Sequence, residues 1–198
     1  MPRIKPIEPP YTPEQERRIQ PPTNRAPKVP PLAIFRTFAR HPLLQDSIKS
    51  LGKFYLAGEI GKGSLLSPRD REIVVDRVCA RCGSEYEWGV HVASFAKAVG
   101  LTDAQVAATV LGRADDPTWP ARDQLLLRFV DELHDGGALS DGLWHAMAAE
   151  WSERQLIELL ILAGWYHAIA YLTNGVRMEL EPWAMRFPPT EARAQAAL

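Results

Sequence analysis

Between Glu72 and His91 the chain concentrates side chains that can move protons or electrons. The run Glu72-Ile-Val-Val-Asp-Arg-Val-Cys-Ala-Arg-Cys-Gly-Ser-Glu-Tyr-Glu-Trp-Gly-Val-His91 holds acids, a histidine, two cysteines, a tyrosine and a tryptophan. Gly83 reads as the turn of a helical hairpin, with Glu72 eleven residues before it and His91 eight after. At 1.5 Å per residue these lie about 16 Å and 12 Å along the two axes, and packed axes are about 8–10 Å apart. Facing one another, an acid and an imidazole so placed share a proton directly or through one water. Glu87 and His91 are an i, i+4 pair on the second helix. A carboxylate beside an imidazole raises the histidine pKa, and two carboxylates in one pocket push one of theirs up. Both arrangements suit general acid–base chemistry near neutral pH, with Glu72, Glu87 and His91 as the candidate proton-transfer set.

Blander roles are open to the same residues. Glu87 and His91 can be a surface ion pair of a few tenths of a kcal/mol. Glu87 can close a capping box with Ser84, and Glu72 can pair with Arg69. Cys79 and Cys82 form a Cys-x-x-Cys, a spacing compatible with redox chemistry in a cytosolic protein. A zinc site would need two further ligands, and no second pair of this kind follows, so no metal site and no cofactor are expected. The end of an apolar helix also suits buried, inert thiols. Tyr86 and Trp88 are packing aromatics or the wall of a substrate pocket. His41, His134 and His145 have no clear constellation, and His167 and Tyr166 lie on an apolar helix where a satisfied core role is the usual one.

The surrounding elements read as helices. Ser67-Pro68 is a start signal, Gly83 and Gly100 are stops, and Thr102 and Ser152 open further helices. The first hairpin helix carries Ile73, Val74 and Val78; the second is expected to run to Ala98. A later helix turns Leu125, Leu126, Phe129, Val130 and Leu133 inward. No stretch shows the period-two alternation of half-buried strands. The fold expected is all-α, a bundle of about seven to eight helices around a central antiparallel hairpin.

Residues 1–31 contain ten prolines. This segment is expected to form no regular helix or sheet, and to be either a loose tail or an extended arm anchored by Ile4, Ile7 and Tyr11. Residues 32–180 form the domain and 181–198 a C-terminal tail. A net charge of -1 gives no electrostatic reason for nucleic acid or an anionic membrane as partner. Two cysteines are too few for a disulfide-stapled secreted domain. The opening Met-Pro-Arg-Ile-Lys-Pro has no apolar signal core. The apolar run Leu156–Leu172, broken by Glu158 and His167, falls short of the roughly 20 residues of a membrane span. A cytoplasmic protein is the expectation.

The stretches Pro68-Arg-Asp-Arg-Glu72, Ser-Glu-Tyr-Glu-Trp-Gly-Val-His91 and Ala98-Val-Gly-Leu-Thr-Asp103 resemble the carboxymuconolactone decarboxylase and alkylhydroperoxidase D-like family. Weaker similarity runs through Leu125–Leu133 and Glu158–Asn174. The resemblance implies an all-α homo-oligomer, often a trimer or hexamer, with a site for a small molecule near a subunit interface. In the peroxidase branch the family's glutamate lies twelve residues before the first cysteine of a Cys-x-x-Cys pair, and its histidine four after the second. On that spacing Glu72 and His91 are present, while Ser84 and Glu87 stand where the cysteines would be. The resemblance thus favours the decarboxylase-like branch, a lyase or isomerase acting on a small carboxylated lactone or related acid, with Ser84, Tyr86 and Trp88 binding substrate. The alternatives are a thiol peroxidase or disulfide reductase using Cys79 and Cys82, and a non-catalytic oligomeric relative.

Overall fold

The computed structural model describes residues 1–20, 31–56 and 63–189. Pro21, Pro22, Pro27, Pro30, Gly58, Gly61 and the alanine-rich end lie outside them. The described residues form nine α-helices and no strand: α1 Pro13–Ile19, α2 Ala33–Phe38, α3 Pro42–Leu56, α4 Pro68–Arg81, α5 Glu85–His91, α6 Asp103–Leu111, α7 Ala121–Gly136, α8 Asp141–Glu150 and α9 Glu153–Gly175. A single π-helical turn, Val92–Ala96, continues α5, so the second hairpin helix is α-helical only as far as His91. π turns of this kind are frequent at functional sites.

One helix more than expected is present, and it is α1, inside the proline-rich segment. The expectation of no regular helix there is corrected. Thr12 accepts from the Gln15 amide and Gln15 returns a bond to the Thr12 amide, and Pro13 takes the first helical position, where its missing N–H costs nothing. Residues 14–20 hold no proline, so one helical turn and more can close. The rest of this arm is tied to its own chain. The Arg3 amide donates to the Val176 carbonyl at 2.7 Å, and Arg36 holds both the Ile7 carbonyl and Glu8. Ile4 is exposed.

At the centre stands α4, packed against α5, α6, α7 and α9. Every residue from Asp70 to Cys79 is buried, although the helix carries Asp70, Arg71, Glu72, Asp76 and Arg77 there. Buried charges demand partners, and most have them. Arg122 grips Asp70 with both terminal nitrogens at 2.8 Å, and the Trp151 indole adds a third bond. Arg77 holds Asp131 and two carbonyls at the end of α6. Arg69 pairs with Asp123, not with Glu72.

Two apolar clusters flank the hairpin. The larger surrounds α4 with Val74, Val78, Trp88, Leu126, Phe129, Leu159 and Leu162. The smaller joins Ile34, Tyr86, Val90, Ile169, Met178 and Ala184. At 23 residues α9 exceeds the expected apolar run and is long and apolar enough to cross a membrane, but Leu156, Leu159, Leu162 and Tyr166 place it in the larger core.

The segment 181–189, expected as tail, is docked on α5. The Phe187 amide donates to Glu85 and the Phe187 ring meets Trp88. The Met185 amide donates to the Gly89 carbonyl at 3.1 Å. A Cβ at Gly89 would fall 2.1 Å from the Met185 carbonyl oxygen, a backbone atom that cannot swing aside. Gly89→Ala is therefore expected to destabilise the protein by about 1–3 kcal/mol, the usual cost of forced overpacking. Urea unfolding monitored by circular dichroism measures it.

Candidate functional site

The hairpin turn at Gly83 uses a left-handed φ of 64°, which glycine adopts without penalty. It sends α5 back along α4 so that His91 meets Glu72. His91 Nδ1 lies 2.7 Å from Glu72 Oε2. Nε2 lies 3.1 Å from the Tyr166 hydroxyl and 3.6 Å from Glu87 Oε1. The other Glu72 oxygen accepts from Arg71 Nε at 2.6 Å, and Arg71 also donates to the Tyr55 carbonyl. Phe95, from the π turn, lies against the His91 ring, with the Arg71 guanidinium over its own ring. Glu72 is completely buried, and His91 and Glu87 are 3% and 8% exposed.

The electrostatics follow from that geometry. Burial alone would push His91 down, but Glu72, through its charge and hydrogen bond, and Glu87 raise it to about 10. Burial would push Glu72 up, yet His91 and Arg71 hold it below the ordinary carboxylate range. The pair therefore rests as carboxylate and imidazolium. In that state Nδ1–H donates to Glu72 and Nε2–H to the Tyr166 oxygen. Burial pushes the Tyr166 phenol well up, with Glu87 and Glu72 adding, so it stays neutral.

Asp76 completes the cluster electrostatically. It sits one turn beyond Glu72 on α4, wholly buried, and neither oxygen has a hydrogen-bond partner. Burial, then the Glu72 charge, push it well above the ordinary range. Two carboxyls one turn apart are thus held in opposite states, one ionised and one neutral. Glu87 Oε2 is also buried without a partner. An unsatisfied buried acid is costly, and two beside one imidazolium make this cluster the candidate site.

Of the residues singled out from the sequence, Glu72, Glu87 and His91 come together; Ser84, Tyr86 and Trp88 do not join them. The Ser84 hydroxyl meets that of Thr173 at 2.8 Å and makes no capping bond, so the expected capping box with Glu87 is absent. Tyr86 lies five residues from His91, about 140° around the helix, and its hydroxyl is taken by Glu181 and the Ile34 amide in the smaller core. The Trp88 indole donates to Thr109. Cys79 and Cys82 are free thiols. Burial, reinforced by Glu87 and Asp76, pushes Cys79 well above the ordinary thiol range, and burial also raises Cys82 against the pull of Arg81. Neither is a ready thiolate. Sequence reasoning missed Arg71, Asp76 and Tyr166 as members of the cluster. The i, i+4 spacing of Glu72 and Asp76 was a usable signal, whereas Tyr166 arrives from α9 and has none.

A second polar cluster lies at the far end of α4, where Cys82 faces His134 of α7 and His167 of α9. The sequence offered these histidines no constellation, and the fold supplies one.

Residues 54–131 match the profile of the Carboxymuconolactone decarboxylase family. The likeness to that family is confined to this segment. It contains the whole hairpin, with Glu72, Asp76, Glu87 and His91, while Tyr166 lies beyond it. No curated protein matches the chain significantly. Among solved structures, an uncharacterized peroxidase-related protein from Silicibacter sp. TM1040 superposes with a TM-score of 0.66 at 14% identity over 76% of each chain. A protein of unknown function from Agrobacterium tumefaciens, named as a candidate antioxidant defence protein AhpD, gives 0.61 at 15% identity over 73% of this chain and 94% of its own. At these identities the likeness establishes the all-α fold alone.

Two measurements check the electrostatics. By nitrogen-detected NMR, His91 is expected to stay protonated through neutral pH and titrate near 10, and Glu72→Gln to bring it back toward or below its ordinary 6.5. A histidine raised in the fold adds stability that is complete below 6.5 and is lost as pH climbs to about 10. Asp76 tilts stability in the same direction with pH, starting lower, because its folded form stays protonated where the unfolded acid ionises above 3.8. Its stability cost therefore grows as pH rises through that value. Asp76→Asn removes the cost, so its advantage over wild type in urea midpoint is expected to be small near about pH 4 and larger near about pH 8.

Proposed function

We propose that the protein is an acid–base enzyme that transfers protons on a small enolisable acid, in decarboxylation or isomerisation of a carboxylated lactone or related compound. The observation that carries this is the His91 ring held at both nitrogens, by Glu72 at 2.7 Å and Tyr166 at 3.1 Å, in a site sheltered from water. The match of the hairpin segment to the carboxymuconolactone decarboxylase family model supports the substrate class.

The resting charges assign the roles. His91, raised to about 10, is the general acid at neutral pH, and Nε2 is its working nitrogen. Glu72 orients the ring and stabilises its charge. In decarboxylation, the bond to the leaving carboxylate breaks and its electrons pass into the adjacent unsaturated system. Carbon dioxide departs and His91 Nε2–H protonates carbon. Glu87, with one oxygen 3.6 Å from Nε2 and the other unpartnered, returns a proton from solvent. In isomerisation Glu87 removes the proton and His91 delivers one at a second carbon. The imidazolium also attracts the anionic substrate.

A thiol route draws less support, since Cys79 is wholly buried with a strongly raised pKa. Self-association belongs to the same proposal. Ile157, Ile161 and Tyr171 are exposed along one flank of α9, which supports a homo-oligomer.

The test is carbon dioxide release and ultraviolet change with a panel of carboxylated lactones. Wild type is expected to turn over, and His91→Ala to lose about 10²–10⁴-fold, the usual worth of a positioned general acid. Equal turnover in a folded His91→Ala protein, or none in wild type across the panel, overturns the proposal.

A further inference from the structure

We propose that Cys82, His134 and His167 form a binding site for a thiophilic divalent cation, zinc in the first instance. The site is independent of the His91 cluster and shares no residue with it. Cys82 lies ten residues beyond Glu72, about 15 Å along the helix axis.

Three helices deliver the ligands. Cys82 is the C-cap of α4, His134 lies in the last turn of α7, and His167 is in the second half of α9. The first of these packs directly on the other two, and the Asn174 side chain ties the Cys82 carbonyl to α9 at 2.8 Å. The Cys82 sulfur lies 3.9 Å from His134 Nδ1, His134 Nδ1 lies 3.1 Å from His167 Nε2, and all three donor atoms fall within 4.8 Å of one another. A tetrahedral zinc with bonds of about 2.0–2.1 Å to nitrogen and about 2.3 Å to sulfur sets its ligands about 3.3 Å (N–N) and about 3.6 Å (N–S) apart. The two measured separations differ from these by only a few tenths of an ångström. A cation would replace the single weak proton contact that now joins the two imidazoles.

Ligand chemistry points the same way. His167 Nδ1 lies 3.0 Å from the Ala163 carbonyl. A carbonyl only accepts, so Nδ1 carries the hydrogen and the Nε2 lone pair faces the cluster. This is the backbone-anchored tautomer typical of metal-bound histidine. All three ligands are half-buried, so an ion can enter and still be partly desolvated. One thiolate and two imidazoles suit zinc, whereas calcium and magnesium want oxygen. Three protein ligands leave a fourth position for water. Among the described residues this is the only such group of three or more. Loading converts the Cys82 thiol to thiolate and releases its proton to solvent. The bound ion would clamp the ends of α4 and α7 to α9.

The experiment uses the full chain, stripped with chelator under reducing conditions. Zinc is titrated by calorimetry, and cobalt(II) serves as a spectroscopic probe. Expected are one ion per chain, a thiolate-to-cobalt charge-transfer band in the near ultraviolet, and a rise in Tm on loading. Cys82→Ser should abolish the band. His134→Gln and His167→Gln should each weaken zinc at least about tenfold, while His145→Gln, at an exposed position away from the cluster, should bind as wild type. Absence of stoichiometric binding, a cobalt complex without the thiolate band, or undiminished affinity in the two histidine variants overturns the proposal. Circular dichroism of the stripped variants confirms that each is folded, and His134→Gln, half-buried in the last turn of α7, decides the outcome should Cys82→Ser fail to fold.

Discussion

A carboxylate and an imidazole removed from water together can remain charged only by neutralising one another, and the Glu72–His91 pair imposes that condition on the rest of the molecule. Removing one partner of a buried pair costs about 3–5 kcal/mol, because the other is left uncompensated. The 2.7 Å contact therefore fixes the register of α5 on α4. The left-handed turn at Gly83 permits that register, and the seat of Met185 against Gly89 presses it home. Arg71 supplies the second charge-assisted bond to Glu72 and at the same time ties the end of α3 to the cluster.

The complete burial of α4 explains why its polar residues matter. A helix packed on several sides usually carries apolar residues all round, and this one carries five charged side chains between Asp70 and Arg77. Asp70 and Arg77 spend their charge on architecture, through Arg122 and Asp131. Glu72 spends its charge on His91. Asp76 has none to spend, since no donor meets either oxygen, and burial, with the neighbouring Glu72 charge, keeps it protonated. A proton held on a buried acid beside an ion pair is a local store, which suits the acid–base role proposed for the site. The opposite end of the same helix gathers a different chemistry, sulfur and imidazole, so that one core helix carries two polar clusters at its two ends.

Much of this was visible in the residue order. The starts at Ser67, Thr102, Ser140 and Ser152 are local hydrogen bonds between a side chain and an amide three residues on, and local bonds leave local signatures. The hairpin followed from a glycine between two helical patterns, and helical rise set Glu72 and His91 at similar heights, while their contact was decided by the fold. Of the two roles the sequence left to Tyr86, packing is the one realised, because helical rotation turns it away from His91 into the other core. The helix at Pro13–Ile19 escaped because prolines were weighed by number, whereas the one at the start of a helix costs it no hydrogen bond.

By itself the sequence determined most of the helices and the hairpin that sets Glu72 and His91 at similar heights, because rise, capping and glycine turns depend on residues near one another in the chain. The tertiary structure decided which of the marked residues share a pocket. It brought Tyr166 onto His91 across 75 positions and His134 and His167 onto Cys82. It also left Asp76 unpartnered, because burial is a property of the neighbours that close over a residue and not of its own type.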